Sequence, residues 1–118
     1  MLLWASVDGL SDEARDLIER EATSVHVSAA SIWEIEIKRA AGRLAAPDDA
    51  VSMVRRSGFL PVPMTFEHAV EAGRLPMLHG DPFDRMLIAQ ARLEGMTLAT
   101  ADAALARYDV RTVAVEPD

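Results

Sequence analysis

The sequence predicts an α/β sandwich with a mostly parallel sheet. Two observations carry this. Short apolar or β-branched runs at residues 25–27, 59–62, 96–100 and 112–115 alternate with longer segments of helical periodicity. Capping residues and glycines also punctuate most of those helical segments where one should begin or end.

The elements follow in order along the chain. Met1-Leu2-Leu3-Trp4 reads as the interior of an apolar element, with no strand ahead of it. An α/β domain usually opens with a buried strand, so the sheet is expected to lack its first one. Residues 11–22 read as a helix: Ser11 is a good N-cap, Asp12 and Glu13 suit the first turn, and Ala14, Leu17, Ile18 and Ala22 share a face. Val25-His26-Val27 is a short strand. Ser28 caps a helix running to Ala41 and stopped by Gly42, with Ala30, Trp33, Ile37, Ala40 and Ala41 as its main apolar face.

Residues 47–57 read as another helix, closed by Gly58. Pro61 and Pro63 make residues 59–62 an edge strand at best. Thr65 caps a helix to about Gly73, and the two prolines and one glycine of residues 75–82 mark a loop. Asp84 opens a strongly apolar helix stopped by Gly95. Residues 96–100 form a strand, 102–108 a short helix and 112–115 a final strand.

At 118 residues, half of them hydrophobic, the chain fits one globular domain over residues 1–118. With no cysteine, disulfides and thiolate metal sites are excluded. No apolar run approaches the roughly 20 residues of a membrane span. The N-terminus lacks the layout of a signal peptide, and a reducing cytoplasm is the natural expectation. The net charge of −7 argues against a broad nucleic-acid surface. However, Lys38 is the single lysine among the cations; the rest are arginines, the better phosphate partners. A bound divalent cation would also reverse the charge of an acidic pocket.

In open α/β sheets, ligands sit beyond the carboxyl ends of the strands. Three acids fall there by position: Glu34 early in the helix after residues 25–27, Asp84 at the start of a helix, and Asp102 two residues past a strand. Carboxylates without paired His or Cys ligands suit hard cations, so Mg²⁺ or Mn²⁺ is favoured over Zn²⁺. Such an ion activates water and neutralises charge on a phosphodiester. Each acid also has a plainer role open to it. Glu34 precedes Lys38 by four residues, the order of a helical surface pair. Asp84 and Asp102 suit N-caps, and Asp81 before Pro82 suits a turn. His26, His68 and His79 fit no metal-binding spacing. His26 is expected to face solvent or a partner, while His79 stands in the loop beside Asp81 and could approach substrate. No Gly-rich phosphate loop or G-x-S-x-G elbow is present.

Two longer segments say more. Ser28-Ala29-Ala30-Ser31-Ile32-Trp33-Glu34-Ile35 and the run DPFDRMLIAQARLEGMTLATAD from Asp81 to Asp102 resemble VapC-type toxins of the PIN-domain family. The resemblance covers nearly the whole chain. It implies a parallel-sheet, three-layer α/β/α sandwich, and a small Mg²⁺- or Mn²⁺-dependent ribonuclease that forms homodimers and is neutralised by a VapB-like antitoxin. It assigns the family's second, third and fourth acids to Glu34, Asp84 and Asp102. Asp81 and Arg85 belong to the same motif, and Thr100 matches the hydroxyl residue before the last acid.

The chain departs from the family at its start. Relatives open with a central apolar strand ending in an aspartate, followed by an apolar helix similar to Met1-Leu2-Leu3-Trp4. The expectation is therefore an N-terminally truncated domain without that strand and its acid. Losing the strand would remove several core side chains at about 2–5 kcal/mol each. Two functions then compete: a ribonuclease toxin, and a catalytically inactive remnant that only binds antitoxin. Another carboxylate–metal phosphotransfer domain, such as a phosphatase or receiver, would make both motif segments coincidence. Trp33, Ile37 and Leu17 are candidates for the antitoxin groove, with burial in the core as the alternative for Trp33.

Overall fold

The computed structural model describes residues 1–5, 24–42 and 50–114. The expected helix at residues 11–22, Leu17 included, and the start of the 47–57 helix lie outside them. Five parallel strands form one sheet: β1 Leu2–Trp4, β2 Val25–Ser28, β3 Leu60–Val62, β4 Thr97–Thr100 and β5 Thr112–Ala114. Their order is β3-β2-β1-β4-β5. Four helices are described: α1 Ala29–Ala40, α2 Ala50–Arg56, α3 Phe66–Arg74 and α4 Pro82–Glu94. A 3₁₀ turn spans Ala103–Arg107.

The three-layer α/β reading holds, but the expectation for the start of the chain does not. Met1-Leu2-Leu3-Trp4, read as part of an apolar helix, instead forms β1 in the middle of the sheet. Leu3 pairs with His26 of β2 on one side and with Leu98 of β4 on the other. All three residues of β1 are buried, Leu3 completely. The physical reason is that a central parallel strand is covered on both faces. It therefore reads as an uninterrupted apolar run, and over three residues such a run carries no period to separate strand from helix.

The two faces of the sheet are covered by different helices. Leu3, Leu98 and Val62 pack with Leu87, Ile88 and Ala91 of α4 and with Leu105 and Tyr108 after β4. Trp4, Val25, Val27 and Ala99 form the opposite cluster, joined by Ile32 of α1 and Val54 of α2. Period-two alternation thus sends Leu3 and Trp4, and likewise Leu98 and Ala99, to opposite sides. The chain leaves β1 for β2 and β3, then returns to β4 on the other flank of β1. The switch in connection direction falls between β1 and β4, where α/β sheets open a crevice at their carboxyl edge.

Local signals explain most boundaries. The Ser28 hydroxyl accepts from Ala30 N and starts α1. Thr65 and His68 form a reciprocal capping box on α3. Gly95 ends α4 at φ 66°, a left-handed conformation that glycine adopts without a Cβ penalty. β3 is an edge strand, as its proline requires.

Candidate metal centre

Three elements deliver acids to the carboxyl edge of the sheet. α1 follows β2 and carries Glu34; α4 carries Asp84; the 3₁₀ turn after β4 begins at Asp102. Asp84 does not cap α4. That role belongs to Asp81, whose Oδ1 accepts from Phe83 N at 2.8 Å and Asp84 N at 3.1 Å, with Pro82 in the first turn. The Asp84 side chain is therefore left for other work. Its Oδ2 lies 2.7 Å from His79 Nε2. An ionised carboxylate only accepts, so the imidazole donates in that pair.

Asp102 does cap its turn: Oδ1 accepts from Ala104 N at 2.9 Å. Its own N–H donates to the buried Thr100 hydroxyl at 3.0 Å, which fixes the turn out of β4. One nitrogen of His79 and one oxygen each of Asp84 and Asp102 lie within 4.8 Å of one another. Among the described residues this is the single His/Asp/Glu group so arranged. Two expected residues are thus brought together, and a third, His79, joins them. Sequence spacing could not include His79 because it reaches the site from a loop. The available signal was its place beside the DPFDR motif.

Glu34 is 8 % exposed and sits 3.4 Å from Lys38 Nζ. It stands outside the 4.8 Å group but within electrostatic reach of it. Burial pushes its carboxyl above the ordinary range; Lys38 pulls it down, and the charges of Asp81 and Asp84 push it up. Burial likewise raises Asp84, the His79 hydrogen bond lowers it, and Asp81 and Asp102 raise it again. Crowded, desolvated carboxylates favour protonation unless a cation joins them. The carboxylate-rich donor set fits a hard divalent ion that keeps several waters.

Arg85 turns away from the acids. Its guanidinium is buried among backbone carbonyls of residues 72–79. Trp33, on the apolar face that periodicity predicts for α1, is 56 % exposed, and Ile37 is 38 % exposed. The buried residues of α1 are Ala30, Ser31 and Glu34, all in its first half. Small side chains let that half approach the sheet, while the residues of the second half are half-buried or exposed. Trp33 instead meets Phe83 of α4 edge-on, with ring centroids 5.1 Å apart. His26, expected to face solvent or a partner, is half-buried; it lines a cavity of about 280 Å³ together with Met1, Met96 and His68.

The family model of the PIN domain matches residues 3–111. No curated protein matches the chain. Among solved structures, the fold resembles a VapBC2 complex of Rickettsia felis bound to a promoter DNA fragment, at 12 % identity and TM-score 0.73, covering 98 % of this chain and 100 % of that one. It also resembles a toxin–antitoxin complex from Klebsiella pneumoniae, at 14 % identity and TM-score 0.72, with both chains fully covered. A DNA-bound VapBC of Salmonella typhimurium gives 14 % identity and TM-score 0.70, with 96 % of each chain covered. At such identities the likeness concerns the fold. No helix of the described residues is long and apolar enough to cross a membrane.

Proposed function

The chain belongs to the PIN-domain family, and on that premise we propose that it is a VapC-like toxin: a ribonuclease that uses a divalent cation and is neutralised by a VapB-like antitoxin. The observation that carries this reading is the convergence of His79, Asp84 and Asp102 within 4.8 Å. It falls at the carboxyl edge of the sheet, beside the switch point, where a substrate strand has access.

Asp84 and Asp102 would hold the ion, with Glu34 as the further carboxylate across the site. Mg²⁺ or Mn²⁺, when bound, supplies an activated water and offsets charge on the phosphodiester. His79 fixes the rotamer of Asp84 through its 2.7 Å contact. The Thr100 hydroxyl sets the backbone from which Asp102 projects. Lys38, beside Glu34 and part-exposed, offers a cation to the phosphate backbone. Asp81 adds negative charge next to Glu34 and Asp84 while its oxygen caps α4. Partner recognition falls to the exposed Trp33 and Ile37, which suit the apolar face of an antitoxin helix. A homodimer in the cytoplasm completes the reading.

The deciding experiment is RNA cleavage by the purified protein, with and without Mg²⁺ or Mn²⁺, for the unsubstituted chain and Asp84→Asn. Metal-dependent cleavage that disappears in a folded Asp84→Asn supports the proposal; undiminished cleavage in that variant would overturn it. A second reading is an inactive module that binds antitoxin through Trp33 and Ile37. It draws on the exposure of Trp33 and Ile37, both on α1. Antitoxin binding without any metal-dependent cleavage would favour it.

A further inference from the structure

Residues 75–81 connect α3 to α4 and carry His79 to the site without regular structure of their own. With Pro76 and Gly80 in it, this segment cannot form a ladder, so its backbone groups must find partners elsewhere. Besides a contact of 2.9 Å from Leu78 N to Pro76 O within the segment, they find two buried side chains. The Tyr108 hydroxyl donates to Pro76 O at 2.7 Å and accepts from Leu78 N at 3.1 Å and His79 N at 2.9 Å. Arg85 Nη1 donates to Pro76 O at 3.1 Å and His79 O at 3.3 Å. Arg85 Nη2 donates to Ala72 O at 2.9 Å and Leu75 O at 3.0 Å. Nη1 also lies 3.4 Å from the Tyr108 oxygen.

Both backbone polar atoms of His79 are therefore held, the N–H by Tyr108 and the carbonyl by Arg85. The two holding groups are 5 % and 8 % exposed. A buried guanidinium ordinarily needs a carboxylate. Here two of its carbonyl partners, from Ala72 and Leu75, lie at the C-terminal end of α3, the negative end of that helix dipole. Consecutive helix residues project about 100° apart. Asp84 can thus face the site while Arg85, one residue on, faces the loop. Tyr108 ends the 3₁₀ turn that Asp102 begins. Each holding residue accordingly shares a short rigid element with one of the acids.

We propose that Arg85 and Tyr108 form one buried positioning unit that seats His79 against Asp84 and fixes both relative to Asp102. This deepens the cation-site reading and rests on it for its consequence in metal affinity. The seating of His79 is independent of that reading. If the pair served only to stabilise the fold, its loss would lower the melting temperature without altering His79 or the affinity for metal.

The test uses Tyr108→Phe, which keeps the ring in the core and removes the hydroxyl. Imidazole ¹⁵N spectra of the metal-free protein, with His79 assigned through His79→Gln, report the contact to Asp84. Titration with Mn²⁺ alone, followed by electron paramagnetic resonance, reports affinity. In folded Tyr108→Phe the His79 nitrogens are expected to move toward a solvent-averaged pattern, and Mn²⁺ to bind about tenfold more weakly, the usual effect of losing a supporting contact around a metal ligand. Spectra and affinity matching the unsubstituted protein would overturn the proposal.

Amide exchange in the unsubstituted protein supplies an arm that needs no variant. The His79 N–H is expected to exchange slowly because Tyr108 accepts it at 2.9 Å, and free exchange at this amide sinks the idea. If the unsubstituted protein binds no Mn²⁺, the cation reading fails, while the imidazole spectra and amide exchange still decide the positioning.

Discussion

Leu3→Ala tests the placement of β1, on which the site depends because this strand joins the Glu34 side of the sheet to the Asp102 side. The substitution removes three carbon groups from a side chain with 0 % exposure. At about 0.8 kcal/mol per buried methylene, the transfer contribution alone is about 2.4 kcal/mol. A cavity contribution adds to this. Leu3 lies in register between partners on strands on both sides, and its cluster includes Leu87, Ile88 and Leu98, each at 1 % exposure or less. Such surroundings collapse poorly, so the loss belongs in the upper part of the usual Leu→Ala range, about 3–5 kcal/mol. Urea unfolding followed by circular dichroism measures it. With a slope of about 1.5–2 kcal/mol per molar, the midpoint should fall by roughly 2 M. Leu93→Ala is the control: Leu93 is 47 % exposed on α4 and should cost less than about 1 kcal/mol. Equal shifts for the two variants would refute the central, doubly covered position of β1.

Two further outcomes are expected. Glu34 and Asp84 both have raised carboxyl pKa values in the folded chain, chiefly from burial. The folded state therefore binds more protons than the unfolded one between the ordinary carboxylate range and the raised values. Their contribution to stability is greatest below that window and falls as pH rises through it. Melting temperatures of the metal-free protein across mildly acidic pH should show this decline, and Mg²⁺ or Mn²⁺ should counter it above the window; a decline unchanged in Asp84→Asn would count against the assignment. Trp33→Ala should lower the urea midpoint less than Leu3→Ala does, since the side chain is 56 % exposed and gives up chiefly its edge contact with Phe83. It should weaken antitoxin binding by about 2 kcal/mol or more if Trp33 is an aromatic anchor, measurable by calorimetry.

Much of the fold and part of the site were legible in the sequence, because the deciding signals act within a few residues. Ser28, Thr65 and Gly95 mark element ends through their own capping geometry or backbone freedom. The apolar period of α4 and the prolines around β3 act equally locally. These signals determined the α/β class and the positions of most described elements; capping and period left Glu34, Asp84 and Asp102 each with a plainer role, and the resemblance of two longer segments grouped them.

Tertiary structure decided what depends on residues far apart in the chain. Met1-Leu2-Leu3-Trp4 became a strand because β2 and β4 lie on either side of it with helices on both faces, and none of that is written in four apolar residues. Asp81 rather than Asp84 took the cap, since Pro82 began the helix one turn earlier than its apolar period suggested. Trp33 turned outward because α1 packs on the sheet through Ala30 and Ser31. His79 joined the acids through a loop that holds its shape only because Arg85 and Tyr108, reaching in from two other elements, satisfy its backbone. Capping and periodicity stabilise an element through neighbours in the chain and so can be read locally. The site is assembled by burial and by hydrogen bonds to partners distant in sequence, and those partners meet only in the folded chain.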